Sequence, residues 1–422
     1  MANGGQHGMD SISEKVLREI DEDKLVKIAR AICDVPSPTG QEAQVSELLQ
    51  SLMKELGMRT LLQQVEPGRS NVIGTLESSG GGRTLMFNGH LDTSFPFLPG
   101  ASGGAGLLEQ PLPSELDGDW LYGTGVENMK SSFACYLGAV EALQKAGVHP
   151  AGDILIAGVI GEIETSSVGP YQGPRYRGHG HGTQYLVTHG ALADFCVLGE
   201  PSDMKIGIGS CGTVWAKITT TGPTMGSYVS NWETNAIYRS ARLIEALKSW
   251  RTSYIERHRH VEIQPSVTIS AIEGGWPWRA ARTAESCSMY VDVRTAPDQP
   301  LISVKNELIA FLRSLDWDDA SPRPRVEFYA TVPGFEISTD AELVQVVQRA
   351  HTTVHGQPAA YRYSPAVDDG SHLHRYGIPT VIYGPGGKRR DSPEAPKNEY
   401  VSVDSLVRCA KVYALIALEV CS

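Results

Sequence analysis

The order of elements along the chain predicts an α/β fold in which a mainly parallel sheet carries helices on both faces and is interrupted by a ferredoxin-like α+β insertion. Three observations carry that expectation. Buried-strand runs alternate with amphipathic helical runs through the first half, the order changes near Cys211 to strand-helix-strand-strand-helix-strand, and the alternation resumes towards the C-terminal end. A chain of 422 residues is also too long for a single hydrophobic core. The expected boundaries are therefore 1–211 and 333–422 for the α/β domain and 212–332 for the insertion.

The elements follow in order. From Ile12 the run ISEKVLREIDEDKLVKIARAICDVPSPTGQE places apolar residues at helical spacing and then stops at Pro-Ser-Pro-Thr-Gly, and a second amphipathic run spans Glu42 to Leu56. NVIGTL and RTLMFNGHLDT read as buried strands, SSFACYLGAVEALQKAG as a helix closed by glycine, and DILIAGVIGEIE and ADFCVLGEP as further strands. In the insertion, GTVWAKITTTG, VTISAIEGGWPW, AESCSMYVDVRTA and PRVEFYATV read as strands, with ETNAIYRSARLIEALKSW and KNELIAFLRSL as helices. AELVQVVQRAHTTV, IPTVIYGPGG and VSVDSLVRCAKVYALIALEV complete the α/β pattern.

Composition narrows the class of function. Lys and Arg number 37 against 48 Asp and Glu, a net charge of −11 without a dense basic run, which argues against nucleic acid or an anionic membrane as the main partner. No stretch has the length needed to cross a bilayer, and the N-terminus lacks an apolar signal core. The seven cysteines are widely spaced without a Cys-x-x-Cys pair, which fits a reducing cytoplasm.

Ligands of open α/β sheets bind beyond the carboxyl ends of the strands, and three polar clusters fall there: Asn88 to Thr93, Glu162 to Glu164, and Gly199-Glu200-Pro201. In His90-Leu91-Asp92, residues two apart on a strand face the same way, so Asp92 can fix the tautomer of a metal-binding His90. Taken alone, the pair also fits an exposed loop. Glu162 and Glu164 can serve as a general base or a ligand, or simply as solvated loop residues, and Glu200 as an oxygen ligand or an edge charge. Cys211 has no nucleophile elbow around it and reads as a small buried thiol. His179, His181 and His189 lack ligand spacing and read as loop or substrate-gate residues, while Trp276 and Trp278 fit packing better than ligand stacking. The proline- and glycine-rich segment Phe97 to Asp119 reads as a lid or specificity loop.

Taken together, DVPSPTGQE, MFNGHLDT, LYGTGVENMKSS, GEIE, ADFCVLGEPSD, TTTGPTMGS, EGGWPW, VDDGSHLHRYGIPTVIYGPGG and KNEYVSVDSL resemble, in order, the metallopeptidase family of acetylornithine deacetylase, succinyl-diaminopimelate desuccinylase, aminoacylase and glutamate carboxypeptidase. The resemblance implies a catalytic domain with two neighbouring zinc ions, an inserted dimerisation domain, and hydrolysis of an amide in N-acyl amino acids or short peptides. By motif, His90 resembles a ligand of one zinc with Asp92 as its supporting carboxylate, Glu200 a second ligand and Glu162 the general base.

Other positions depart from the family pattern. Asn128 stands where a bridging aspartate is usual, Ile163 in place of the second glutamate, Ala395 in place of a late histidine, and Gly226 in place of the histidine of the insertion that holds an oxyanion. Two cations a few ångströms apart repel strongly without a bridging carboxylate, so one zinc or none is expected, held by His90, Glu200 and Asn128. Glu164, His372, His374, Asp368, Asp369 and Asp391 are left as potential replacement ligands, and Gly226, Arg279, Arg282 and Arg294 as substrate contacts.

Three functions follow. The first is an amidohydrolase acting on a small amino-acid-derived molecule. The second is a non-hydrolytic enzyme carrying out condensation, cyclisation or elimination with Glu162 as acid or base, and the third is a non-catalytic binding protein. The resemblance also implies a homodimer, which joins the cytoplasmic setting expected from the cysteines and the lack of a nucleic-acid or membrane partner expected from the charge balance.

Overall fold

The structure is a computed structural model that describes residues 3–78, 80–94, 113–317, 322–386 and 399–422. Most of the expected lid at Phe97 to Asp119, together with Asp391 and Ala395, lies outside the described residues. The chain divides into two compact units: Met1–Ile208 with Ile337–Arg362 and Asp368–Ser422, and Gly209–Glu336 with Tyr363–Val367.

The first unit is built on a sheet whose centre is parallel. Ile154–Val159, Leu85–His90, Phe195–Leu198 and Thr380–Ile382 lie side by side in that order and run the same way. Antiparallel strands flank this core, Arg69–Leu76 and then Arg59–Glu66 on one side and Ile206–Ser210 on the other. Leu85–His90 is buried at every residue, as expected for a strand covered on both faces. Gly89 is required there, because a Cβ at this position would lie 2.3 Å from the Met129 methyl carbon.

Helix Ser131–Lys145 covers one face, and the closing helix Val403–Val420 packs on it. Tyr136 joins this layer to the site: its ring stacks 4.8 Å from Phe87 and its hydroxyl donates to Asn88 O at 2.7 Å. The hydroxyl passes over Gly199, where a Cβ would sit 2.1 Å from the oxygen.

The second unit has the ferredoxin-like order. Four antiparallel strands lie as Ser266–Gly274, Ser286–Thr295, Gly212–Thr221 and Arg325–Val332. Helices Ala236–Arg257 and Leu301–Ser314 pack on this sheet through Leu243, Leu247, Trp250, Val304, Leu308 and Leu312 against Val214, Ala216, Ile218 and Val291.

Local differences from the sequence reading have plain causes. The first helical run is two helices, Asn3–Arg18 and Glu22–Cys33, because the Asp21 carboxylate accepts from Lys24 N at 3.0 Å and starts the second afresh. Two features go beyond the expected elements: strand Arg59–Glu66, whose half-exposed, glutamine-bearing pattern suits an edge, and the small sheet Glu115–Asp117, Trp120–Tyr122 and Tyr400–Ser402. Trp278 is 77% exposed rather than packed. Cys211 is buried and its thiol donates to Pro365 O, and all seven cysteines are free and buried.

Candidate metal centre

The parallel strands end together: His90 pairs with Val159, and Asn88 with Leu198. Each strand therefore delivers its next residues to one place, His90 directly, Glu162 after a turn at Gly161, and Glu200 after Gly199. Among the described residues, His90, Glu162 and Glu200 form the one group of acidic, histidine or cysteine side chains able to share a metal ion, with ligand atoms all within 4.8 Å of one another. Glu164, His372, His374 and Asp368 do not join it.

The geometry around His90 corrects the role expected of Asp92. The imidazole Nδ1 lies 2.8 Å from the main-chain oxygen of Asp92, whereas the Asp92 carboxylate is 3.8 Å away. That carboxylate instead accepts from Glu162 N at 2.9 Å, Ile163 N at 3.2 Å and the Thr39 hydroxyl at 2.8 Å. Asp92 thus fixes the Glu162 turn, and a carbonyl orients the imidazole.

His90 Nε2 faces three oxygens: Asn128 Oδ1 at 2.9 Å, Glu200 Oε1 at 3.4 Å and Glu162 Oε2 at 3.8 Å. If Nδ1–H donates to the carbonyl, Nε2 presents a lone pair to acceptors, an arrangement that calls for a positive species between them. Glu200 Oε1 is buried without a hydrogen bond, and Asp369, fully buried nearby, has neither carboxylate oxygen in a hydrogen bond of ordinary geometry. Asn128 is itself held from behind, since Glu399 accepts from Glu127 N at 3.1 Å and from Asn128 N at 3.0 Å.

The electrostatics agree with the geometry. Burial pushes the Glu162 carboxyl well above the usual carboxylate range, and the charges of Glu200, Asp369 and Asp92 push the same way. Burial raises Glu200 as well, partly offset by His90. Asp369 is raised to about 7, chiefly by burial. Burial opposes protonation of His90, but Glu200, Asp92 and the Asn128 contact outweigh it and leave the imidazole raised. Burial pulls the Lys130 ammonium down to about 8, while its Nζ donates to Val35 O at 2.7 Å. The cluster is therefore overloaded with carboxylates, and a divalent cation would relieve them.

The donor set is chemically suited to a divalent ion. His90, Glu200 and Asn128 offer nitrogen and oxygen atoms suited to zinc, with Glu162 adjacent. Ile163 has no donor atom for a second ion. His372 is buried at Gly180, where its Nε2 lies 3.0 Å from His179 O, and burial lowers it to about 4. His179 is held at Thr165 O and His189 is exposed. Asp369, expected as a potential replacement ligand, lies outside that three-residue group but is buried near it. Glu399, Thr39 and Lys130 have no role that the sequence assigns; Asn-Glu in KNEY is the visible signal, but no spacing rule gives it one.

The residues expected to meet substrate lie in the second unit. Gly226 bridges Arg282 across an isolated strand contact, Arg279 is exposed on a short turn, and Arg294 donates to Asp292 at 2.8 Å.

A family model described as Peptidase family M20/M25/M40 matches residues 86–419. The chain belongs to that family. Its members are metal-dependent amidohydrolases and peptidases, so the chain is a hydrolase of that type and carries their two-part fold. Over 98% of its length it is 25% identical to an N-formyl-4-amino-5-aminomethyl-2-methylpyrimidine deformylase of Bacillus subtilis, covering 97% of that protein. It is 26% identical to the acetylornithine deacetylase of Edwardsiella ictaluri, with 90% of the chain and 94% of the relative aligned. Among solved structures, human carnosine dipeptidase 1 superposes with a TM-score of 0.72 at 17% identity, covering 97% of this chain and 99% of that one. A dinuclear metal-binding peptidase of the M20 family from Bacillus subtilis gives 0.64 at 14%, covering 95% and 98%. Among the described residues, no helix is long and apolar enough to cross a membrane.

Proposed function

We propose that this M20 member hydrolyses the acyl–nitrogen bond of a small N-acylated amine derived from an amino acid, with one divalent ion where relatives carry two. The observation behind this is the convergence of His90 Nε2, Asn128 Oδ1 and Glu200 Oε1, with a buried acid beside them and no donor at Ile163. His90, Glu200 and Asn128 would hold the ion; when bound, it supplies Lewis acidity to the scissile carbonyl and to water. Glu162, its affinity for protons raised by burial, takes a proton from the attacking water and returns it to the leaving nitrogen. Asp92 holds the backbone of Glu162 and Ile163 and so fixes the direction of that carboxylate.

Relatives named as a deformylase and a deacetylase support a short acyl group as the part removed. A homodimer formed through the second unit, in a cytoplasmic setting, completes the reading; exposed Tyr228, Val229, Trp232 and Trp278 on that unit are consistent with a covered surface.

A second reading is favoured by one observation, the loss of both a bridging carboxylate at Asn128 and a ligand at Ile163 while Glu162 stays buried and readily protonated: the cleft then performs a condensation or elimination with Glu162 as proton carrier. Elemental analysis of the purified protein, run with a panel of N-formyl and N-acetyl amines, separates the two. About one zinc per chain with release of formate or acetate supports hydrolysis. Two ions per chain would overturn the single-ion site, and metal-independent turnover without acid release would favour the second reading.

A further inference from the structure

Glu162 stands on a turn that buried charges outside the His90–Glu162–Glu200 group also contact. Gly161 has φ +64, and a Cβ there would lie 2.6 Å from Arg177 O and 2.8 Å from Arg69 Nη2. Residues 160–163 run beside 177–182: His179 N donates to Glu162 O at 3.1 Å, His181 N to Gly161 O at 3.0 Å and Gly182 N to Ile160 O at 2.8 Å.

Arg69 lies behind this pair of segments and is 1% exposed. Its Nε and Nη2 donate to the two oxygens of Glu42 at 2.8 and 2.5 Å, and its Nη1 to Glu66 at 2.5 Å. The same Nη1 reaches the carbonyl oxygens of Pro174 at 3.1 Å and Arg177 at 3.3 Å. Arg177, half-exposed, donates to the other Glu66 oxygen. Glu42 also accepts from Gly40 N at 2.9 Å, and Gly40 lies against the Arg175 backbone, where a Cβ would come within 2.8 Å of its nitrogen. One residue before Gly40, Thr39 bonds to Asp92.

Two arginines and two glutamates cancel in charge, and a buried pair of this kind is a poor source of net stability. It is a strong specifier of geometry, because a guanidinium offers a planar fan of donors that lysine cannot copy.

We propose that Arg69 is a positioning residue for Glu162. Acting through the Gly161 turn and the carbonyls of Pro174 and Arg177, it fixes where the carboxylate stands, and Arg177 is the latch on its outer side. The inference rests on Glu162 being the acid–base group.

Arg177→Gln and Arg69→Lys test it, read by hydrogen exchange, by melting temperature and by turnover of N-acetyl-L-ornithine. Because Arg177 is half-exposed, its variant should fold with a melting temperature within about 2 °C of the parent. Amides of 160–182 should exchange about tenfold faster or more, with peptides of the second unit unchanged. In the parent-active case kcat falls about tenfold with KM within about twofold, and Arg69→Lys shows the larger loss. Unchanged exchange in 160–182 in both variants, or faster exchange with unchanged kcat, overturns the proposal. A parent without turnover on this probe counts against N-acetyl-L-ornithine as a substrate and leaves the turn to the exchange measurement, which still decides whether Arg69 and Arg177 hold it.

Discussion

The two units treat charge in opposite ways. In the first, Glu42, Arg69, His90, Asp92, Lys130, Glu162 and Asp369 are all buried, most of them close to where the parallel strands end. In the second, Arg239 is the one buried charged side chain among the described residues, and it is answered by the carbonyl oxygens of Thr221 and Pro322. Its core is otherwise aliphatic and aromatic. Buried carboxylates cost stability unless something answers them, so their crowding at the strands' carboxyl ends marks a region shaped by chemistry, and the apolar core of the four-stranded unit marks one shaped by packing. The sheet geometries explain why: four parallel strands bring their carboxyl ends and following turns to one place, whereas antiparallel strands alternate their ends and leave no common edge.

The contrast is sharpest at Glu162. Glu162→Gln keeps the shape and removes the proton carrier, so kcat should fall by about 10²–10⁴ with the melting temperature held or raised, as steady-state kinetics and a thermal scan would show. An unchanged kcat removes Glu162 from the chemistry. In the second unit the reverse is expected. Leu247 is 2% exposed in the core, and Leu247→Ala should cost about 2–5 kcal/mol by urea unfolding with any bound-metal content unchanged. Loss of metal in step with that destabilisation would mean the two regions are not separable in this way.

A smaller effect concerns pH. Asp369 is raised from 3.8 to about 7 in the folded chain, mainly by burial, so the folded state holds a proton that the unfolded state has released. Its contribution is full below about pH 4 and is lost as pH rises through about 7. Metal-free Asp369→Asn should therefore gain stability relative to the metal-free parent between those limits; a difference that does not vary with pH would contradict the assignment. The smallest change is expected at Trp278, 77% exposed: Trp278→Ala should shift stability by less than about 0.5 kcal/mol. A larger loss that depends on protein concentration would show that a second copy covers it.

Much of this was legible in the chain. The change of element order near Cys211 marked the inserted sheet, and His90, Glu162 and Glu200 each follow an apolar run that reads as a buried strand. Their convergence follows once those strands are taken as parallel neighbours. The partnering was not legible. Asp92 was expected to serve His90 but serves the Glu162 turn, because the strand ends at His90 and the Asp92 carbonyl reaches the imidazole first. Glu399 and Asn128 lie 271 residues apart in the chain, and no local pattern joins them.

By itself the sequence determined the two-part architecture, the residue types offered at the strand ends and the lack of a donor at Ile163, since these depend on local periodicity and side-chain chemistry. Only the tertiary structure decided which carboxylate answers which donor, how Arg69 reaches Pro174 and Arg177, and why Asp369 matters. Hydrogen-bond partners are set by distances of about 3 Å between segments far apart in the chain, and only packing fixes such distances.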